Sequence, residues 1–310
     1  AAPRAGTAHL ARHSSRLAAA MFTKIFGRRE DRPAPPPLEE LKKEAMGILS
    51  PDVFDGARFE FNKTLTQKFA LNHNIFMGSS QLPSSYEFGA NFGDERVLLA
   101  SRTDMAGRLN GRVLAQLTDS VRLRAHAQMQ PDSALPAHAT FNVDYKGQDF
   151  ASGFKYASGI MVGVEHMQSV TPNLALGGEY CQLDDSRGGK KIGSVAARCV
   201  WGPKEEHVAT FKGGVLATLG SAELSYQRKV SDKVGLATEL NYIHNQMCSF
   251  GLGYEFRLRQ ATFKGLISSD TTCSAVLEER VSAGVNLLLS GQLNHKKKDY
   301  KFGFGLAIGQ

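Results

Sequence analysis

The sequence predicts an all-β fold, a 19-stranded transmembrane β-barrel with an N-terminal helix at or in the pore. Two observations lead to this prediction. From Arg58 to the end of the chain, apolar and polar residues alternate with a period of two, and short breaks rich in Gly, Asp, Ser and Pro recur between the alternating segments. In addition, the polar side of the alternation persists on nearly every segment, which is unusual for a sheet that covers a dry core.

The alternation is clearest in two segments. Residues 121–129 read VRLRAHAQM and residues 248–256 read CSFGLGYEF, and in both the large apolar side chains fall on one face of a strand. Strand membrane spans need about 9–11 residues, which these segments provide. The predicted strands number 19 and begin near residues 59, 68, 85, 96, 109, 121, 138, 149, 159, 173, 192, 206, 222, 234, 247, 260, 272, 282 and 300.

A sheet with one persistently apolar face and one persistently polar face fits lipid on one side and water on the other. Backbone groups in lipid must all be paired, so such a sheet has to close. A barrel of this many strands is too wide for side chains to fill and leaves an aqueous channel. Glycines on the polar face, such as Gly251, Gly253, Gly303 and Gly305, fit either strong curvature around a wide bore or simple strand bends.

The chain before the barrel divides into two parts. Residues 1–37 are predicted to be a disordered basic and Pro-rich extension, residues 38–57 a helix and linker, and residues 58–310 the transmembrane barrel. Residues 1–20 have the composition of an organellar transit peptide, although Met21 is an alternative start, and we expect no secretory signal peptide. Residues 38–49 have helical spacing and end before Pro51; this helix either packs on a soluble core or lines a larger cavity.

Composition argues against several classes of function. Residues 1–37 contain seven basic and two acidic residues, whereas the rest of the chain contains 30 and 28, so we predict no nucleic-acid partner. Four widely spaced cysteines are predicted to be free thiols rather than a disulfide framework, with a redox role as the less favoured alternative. No catalytic or phosphate-binding motif is present, so we predict no enzyme, no cofactor and no metal site.

The alternation also places charged residues on the polar face, which would be the lumen wall. These residues suggest an acidic track and a basic track, with bases mostly on strands before about residue 170 and acids mostly after it. An ordinary solvated lining with no sorting role is the open alternative. The predicted acidic residues are Asp144, Glu179, Glu223, Glu239, Glu255 and Glu278, and the predicted basic residues are Arg112, Arg122, Arg124, Lys146, Arg198, Lys212 and Lys264.

Two stretches resemble a known family. Residues 55–69, DGARFEFNKTLTQKF, lead into LNHNIFMGSS and follow the helix LEELKKEAMGIL; together they resemble the channel-forming subunit of the mitochondrial outer-membrane protein translocase. The last strand resembles the polar-x-Gly-x-x-hydrophobic-x-hydrophobic sorting signal of mitochondrial barrel proteins. The residues that fit this signal are Lys301, Gly303, Leu306 and Ile308.

The resemblance implies a barrel in the mitochondrial outer membrane that conducts unfolded precursor proteins with their presequences. It further implies membrane lipid around the barrel, a receptor subunit, small single-helix subunits, a complex with more than one barrel, and no cofactor. The alternative is the sister family, the voltage-dependent anion channel, which moves metabolites and whose helix begins near the chain start. A structural barrel without transport is a third possibility with no sequence feature in its favour.

Overall fold

The computed structural model describes residues 32–78, 83–131, 137–183, 190–203, 205–216 and 219–309. Its strands form one 19-stranded sheet, which confirms the predicted fold, and each strand begins close to its predicted start. The strands are β1 Gly56–Thr66, β2 Phe69–Met77, β3 Ser85–Gly93, β4 Val97–Asp104, β5 Leu109–Gln116, β6 Val121–Met129, β7 Ala137–Lys146, β8 Phe150–Ala157, β9 Met161–Ser169, β10 Leu174–Leu183, β11 Lys190–Trp201, β12 His207–Leu216, β13 Leu219–Ser231, β14 Val234–Ile243, β15 Met247–Arg257, β16 Ala261–Ser268, β17 Thr272–Ser282, β18 Val285–Asn294 and β19 Asp299–Gly309.

The sheet closes by pairing its first and last strands. Every strand is antiparallel to its neighbour in the sequence, but β1 and β19 are parallel, with Phe59 opposite Leu306 and Phe61 opposite Ile308. An odd number of strands in alternating directions cannot close without one parallel pair. Among the described strands, the closed ring leaves no unpaired sheet edge, which is the condition for a sheet to lie in lipid.

The two faces of the barrel differ sharply. The outer face carries exposed apolar side chains, including Val195 at 63% and Phe302 at 66% relative exposure. Continuous apolar surface of this extent suits lipid rather than water. Among the described residues, no helix is long and apolar enough to cross a membrane.

The N-terminal helix lies inside the barrel. It starts as a 3-10 turn, Leu38–Glu40, and continues after a break as helix α1, Lys43–Leu49. The predicted continuous helix over 38–49 is therefore interrupted, because the backbone of Lys42 (φ −100°, ψ 3°) leaves the helical conformation and caps α1 instead.

Two apolar clusters hold this segment against the wall. Leu38 and Leu41 pack with Met167, Ala175 and Ala196 on β9 to β11. At the other end, Ile48 and Leu49 pack with Ala45 and Ala237, and Leu266 lies against the group. The helix thus spans the interior from one arc of strands to another, which agrees with the predicted location at or in the pore.

The segment before the helix crosses the rim of the barrel. The Ser169 hydroxyl at the end of β9 donates a hydrogen bond to the Pro33 carbonyl, 2.6 Å away. Residues 32–37 belong to the predicted disordered extension and make such contacts, whereas residues 1–31, including the transit-peptide-like stretch and Met21, lie outside the described residues.

The linker after the helix packs on the closing seam. The Ser290 hydroxyl is hydrogen-bonded to both the amide and the carbonyl of Phe54, at 3.0 and 2.9 Å. A Cβ atom at Gly303 would collide with the Phe54 carbonyl, and one at Gly253 would lie 3.1 Å from the Leu49 side chain. These interior glycines therefore make room for the helix and linker, a reason that neither predicted reading of them contained.

Candidate functional site

The barrel interior, with the helix inside it, is the candidate functional site. The strand registers place all the predicted lumen charges on the interior face, the face that Leu38, Ile48 and Phe54 contact. The alternation that predicts strands also predicts which side chains meet the channel.

Acidic and basic members of the predicted tracks pair with each other in three places. Arg124 Nε lies 2.8 Å from Asp144 Oδ2, and Lys212 Nζ lies 3.0 Å from Glu179 Oε2. Lys264 Nζ is 3.6 Å from Glu255 Oε1. At these places the two tracks are interleaved rather than separate, because neighbouring strands bring opposite charges side by side.

A buried ion-pair network adds two residues that the sequence analysis did not single out. Lys155 Nζ lies 2.6 Å from Glu165 Oε2 and 3.0 Å from Glu179 Oε1. Both residues obey the same alternation as the predicted set, between Phe154 and Tyr156 on β8 and after Val164 on β9. The place of each residue in the alternation is therefore enough to predict that its side chain faces the interior.

The helical segment supplies carboxylates to bases of the wall. Glu39 pairs with Arg124 at 2.7 Å and with Lys155 at 3.1 Å. Glu40 pairs with Arg122 at 3.3 Å, and Glu44 pairs with Arg198 at 3.0 Å. The segment is thus held by charge as well as by apolar contact.

The segment also carries a cation that meets wall acids. Lys42 forms ion pairs with Glu223 on β13 and with Glu239 on β14, the latter at 3.3 Å. Nearby, Lys264 donates a hydrogen bond to the Gly47 carbonyl at 2.8 Å. The interior therefore already holds an ammonium group of a helical segment between two carboxylates.

Three predicted lumen residues remain, Arg112, Lys146 and Glu278. Arg112 shares an interior cavity of about 330 Å³ with Arg124 and His126. Lys146 lines a second cavity, of about 290 Å³, beside the Pro-rich segment. Glu278 accepts a hydrogen bond from the Asn286 amide at 3.1 Å.

The residues of the proposed sorting signal lie on both faces of β19. Lys301 is on the interior face, 3.7 Å from Asp299, and Gly303 lies under Phe54. Leu306 and Ile308 point outward, opposite phenylalanines of β1. Sorting itself leaves no signature in a folded barrel, so the assignment stays a prediction.

Within the described part of the chain, no group of three or more His, Cys, Asp or Glu residues has an arrangement that could hold a metal ion. All four cysteines are free, and only Cys181 is buried.

A closed barrel with an apolar exterior, a charged interior and an internal N-terminal helix defines the class of membrane channel-type β-barrels. The chain belongs to the eukaryotic porin family, whose model, described as "Eukaryotic porin", matches residues 34–303. Within this family it belongs with the TOM40 proteins, as the following relatives show.

The probable mitochondrial import receptor subunit TOM40-2 of Arabidopsis thaliana is 34% identical over 88% of this chain and 90% of its own length. The TOM40 homolog 2 of Drosophila melanogaster is 32% identical over 89% of this chain and 84% of its own. The human TOM40 homolog is 30% identical over 98% of this chain and 88% of its own. The similarity therefore covers the helix and the barrel together.

Proposed function

We propose that this protein is the protein-conducting channel of the mitochondrial outer membrane, an integral β-barrel that passes unfolded precursor proteins with their presequences. The observation that carries the proposal is the match to proteins named mitochondrial import receptor subunits along about nine-tenths of the chain. The match includes the internal helix as well as the strands. The similarity therefore extends to the segment inside the lumen and not only to the barrel wall.

The interior chemistry supports the same function. A presequence is an Arg-rich amphipathic helix with few acids, so a pore that passes it needs carboxylates that hold cations weakly. Glu223 and Glu239 hold an ammonium group at a partly exposed position, where an ion pair is worth only about 0.2–1 kcal/mol. Binding of that strength guides a passing segment and still releases it.

Single-channel recording in planar bilayers tests the proposal. A presequence peptide should block the current of the wild-type channel, and the same peptide with its arginines replaced by glutamine should not. Glu223→Gln, Glu239→Gln and Glu255→Gln together should weaken the block, and rising salt should weaken it further because pore water screens over about 8–10 Å.

Arg112→Gln with Arg122→Gln is the matched control, since it removes two interior charges of the opposite sign and should leave the block intact or strengthen it. Equal effects of the two sets of variants would make the interior charges an ordinary solvated lining. A wild-type channel that no presequence blocks would favour the voltage-dependent anion-type metabolite porin, the alternative that the TOM40 relatives disfavour.

The proposal also covers the partners of the channel and the roles of its chain segments. Its partners would be unfolded precursors, a receptor subunit, small single-helix subunits and membrane lipid, in a complex with more than one barrel, and without nucleic acid or cofactor. The relatives are named as import subunits and not as enzymes. The extension 1–37, the helix and linker 38–57 and the barrel 58–310 would be its functional parts, with Lys301, Gly303, Leu306 and Ile308 as the sorting signal.

A further inference from the structure

The interior carboxylates that form ion pairs from the barrel wall divide into two groups by the source of their counter-ion. Asp144, Glu165, Glu179 and Glu255 each pair with a cation of the wall itself. Glu223 and Glu239 differ: within the part of the chain that the structure describes, Lys42 of the internal segment is their one cationic partner within 4 Å. The charge of this pair is therefore balanced from inside the lumen.

The two groups also differ in access to water. The Lys155 and Glu165 side chains are 7% and 2% exposed, so removing either partner would leave the other as a buried, unpaired charge. The Lys42 and Glu223 side chains are 27% and 25% exposed. Water and a competing cation reach this second pair, so one ammonium or guanidinium group can replace another there at little cost.

Lys42 can leave its carboxylates without the helix leaving the wall. It lies at the break between the 3-10 turn and α1, and its charge sits on a flexible four-carbon side chain. The segment on either side is held independently by the apolar clusters of Leu38 with Leu41 and of Ile48 with Leu49, and by the carboxylates of Glu39, Glu40 and Glu44. Exchange of the cation therefore requires motion of one side chain only.

We propose that Lys42 is a specificity-determining residue of the channel: it is the resident counter-ion of Glu223 and Glu239, and an entering cationic peptide segment binds there by replacing it. This inference rests on the proposed function and adds a requirement to it, namely that the entering segment carries closely spaced positive charges. A segment with closely spaced positive charges displaces Lys42, whereas a neutral segment meets carboxylates that are already paired and passes without being held.

The test measures block of single-channel current by a synthetic Arg-rich amphipathic peptide, with its Arg-to-Gln counterpart as the neutral probe. Lys42→Met keeps the length and the apolar part of the side chain and leaves both carboxylates unpaired, so the dissociation constant of the Arg-rich peptide should fall by about three- to tenfold. Lys43→Met is the matched control, because Lys43 is 75% exposed and lies 3.9 Å from Glu40 of the preceding 3-10 turn; its effect should stay within about twofold.

Two further variants separate this role from a structural one. Lys42→Arg restores the charge and should return the dissociation constant to the wild-type value. Adding Glu223→Gln with Glu239→Gln to Lys42→Met should abolish the gain. Equal block of Lys42→Met, Lys43→Met and wild type, or a gain that survives the loss of both carboxylates, would overturn this inference and leave the channel function standing. Absence of block in every form, including wild type, would instead contradict the proposed function, and the inference with it.

Discussion

Lys155 Nζ lies 2.6 Å from Glu165 Oε2, and this buried pair is also one of the points at which the helix is attached by charge, since Glu39 lies 3.1 Å from the same ammonium. Three carboxylates, those of Glu39, Glu165 and Glu179, thus converge on one lysine. The stability of the β8–β10 wall and the position of the helix are coupled through this single side chain.

Loss of that lysine should destabilise the barrel strongly. Lys155→Met leaves the buried Glu165 carboxylate without its partner, which costs about 3–5 kcal/mol in comparable buried pairs. Guanidinium unfolding in detergent, followed by circular dichroism, should show a clearly lower midpoint. Lys146→Met, another interior lysine but an exposed one, serves as the control and should shift the midpoint little.

The double variant Lys155→Met with Glu165→Met should recover most of the loss, because no buried charge then remains unpaired. A double variant as unstable as the single variant would argue against the pair.

The internal position of the helix should depend on Gly253. A valine there would press on Leu49 and on the Ile48 carbonyl, 3.1 and 3.2 Å from the position of the new Cβ, so Gly253→Val should displace the C-terminal end of α1 from the wall. In a background with the four native cysteines changed to serine, a cysteine replacing Ile48 should then react faster with a maleimide. Gly193→Val, at a strand glycine with open space around its Cβ position, should leave the rate unchanged. Equal rates in both variants would show that the glycine is there for strand curvature alone.

Gly303 has two separable roles to test. In the folded barrel Gly303→Leu would collide with Phe54, and in the unfolded chain it would alter the proposed sorting signal. A synthetic peptide of residues 299–310 contains the signal but no Phe54. If Gly303 belongs to the signal, the wild-type peptide should slow insertion of the barrel into isolated mitochondria, and a Gly303→Leu peptide should compete much less. Equal competition by both peptides would assign Gly303 to packing only.

Leu306 should tolerate a charge far less well than an interior leucine. Leu306→Asp places a carboxylate on the lipid face, at a cost that reaches about 2 kcal/mol or more in the middle of the membrane and decreases towards its surfaces. Leu288→Asp is the matched control: it is the same substitution on the interior face of β18, in register with Gly305 and hence near Arg58. Carbonate-resistant insertion into mitochondria should fall for Leu306→Asp and persist for Leu288→Asp. The reverse order would mean that the two faces are wrongly assigned.

The strands and their faces could be predicted because a strand in a barrel wall meets only two environments. Arg122 and Arg124 alternate with Val121 and Leu123, which indicates water on one face of the strand and lipid on the other. Side chains of a strand alternate between its faces whatever the neighbouring strands are, so tertiary contacts do not change this assignment. Lys155 and Glu165 follow the same alternation on β8 and β9, so their interior positions are predictable from the sequence as well.

The course of the internal segment could not be predicted in the same way. The helical spacing of residues 38–49 is equally consistent with any apolar surface, and only the fold brings Leu38 to Met167 and Ile48 to Ala237. For this reason the sequence alone presents Gly253 and Gly303 as features of their own strands, although the segment passing over them explains them better. Contacts between parts of the chain that lie about 130 to 250 residues apart leave no periodic trace in the sequence.

The parallel seam between β1 and β19 sets an order of events for the making of this protein. Because the ring is completed only when the last strand pairs with the first, no closed wall exists until residues near 309 have been synthesised. The segment directly before β1 already lies inside that wall and is fastened to it at both ends. Ser290 of β18 and Gly303 of β19 both contact Phe54, so the strands that complete the wall also complete the surface on which this linker packs.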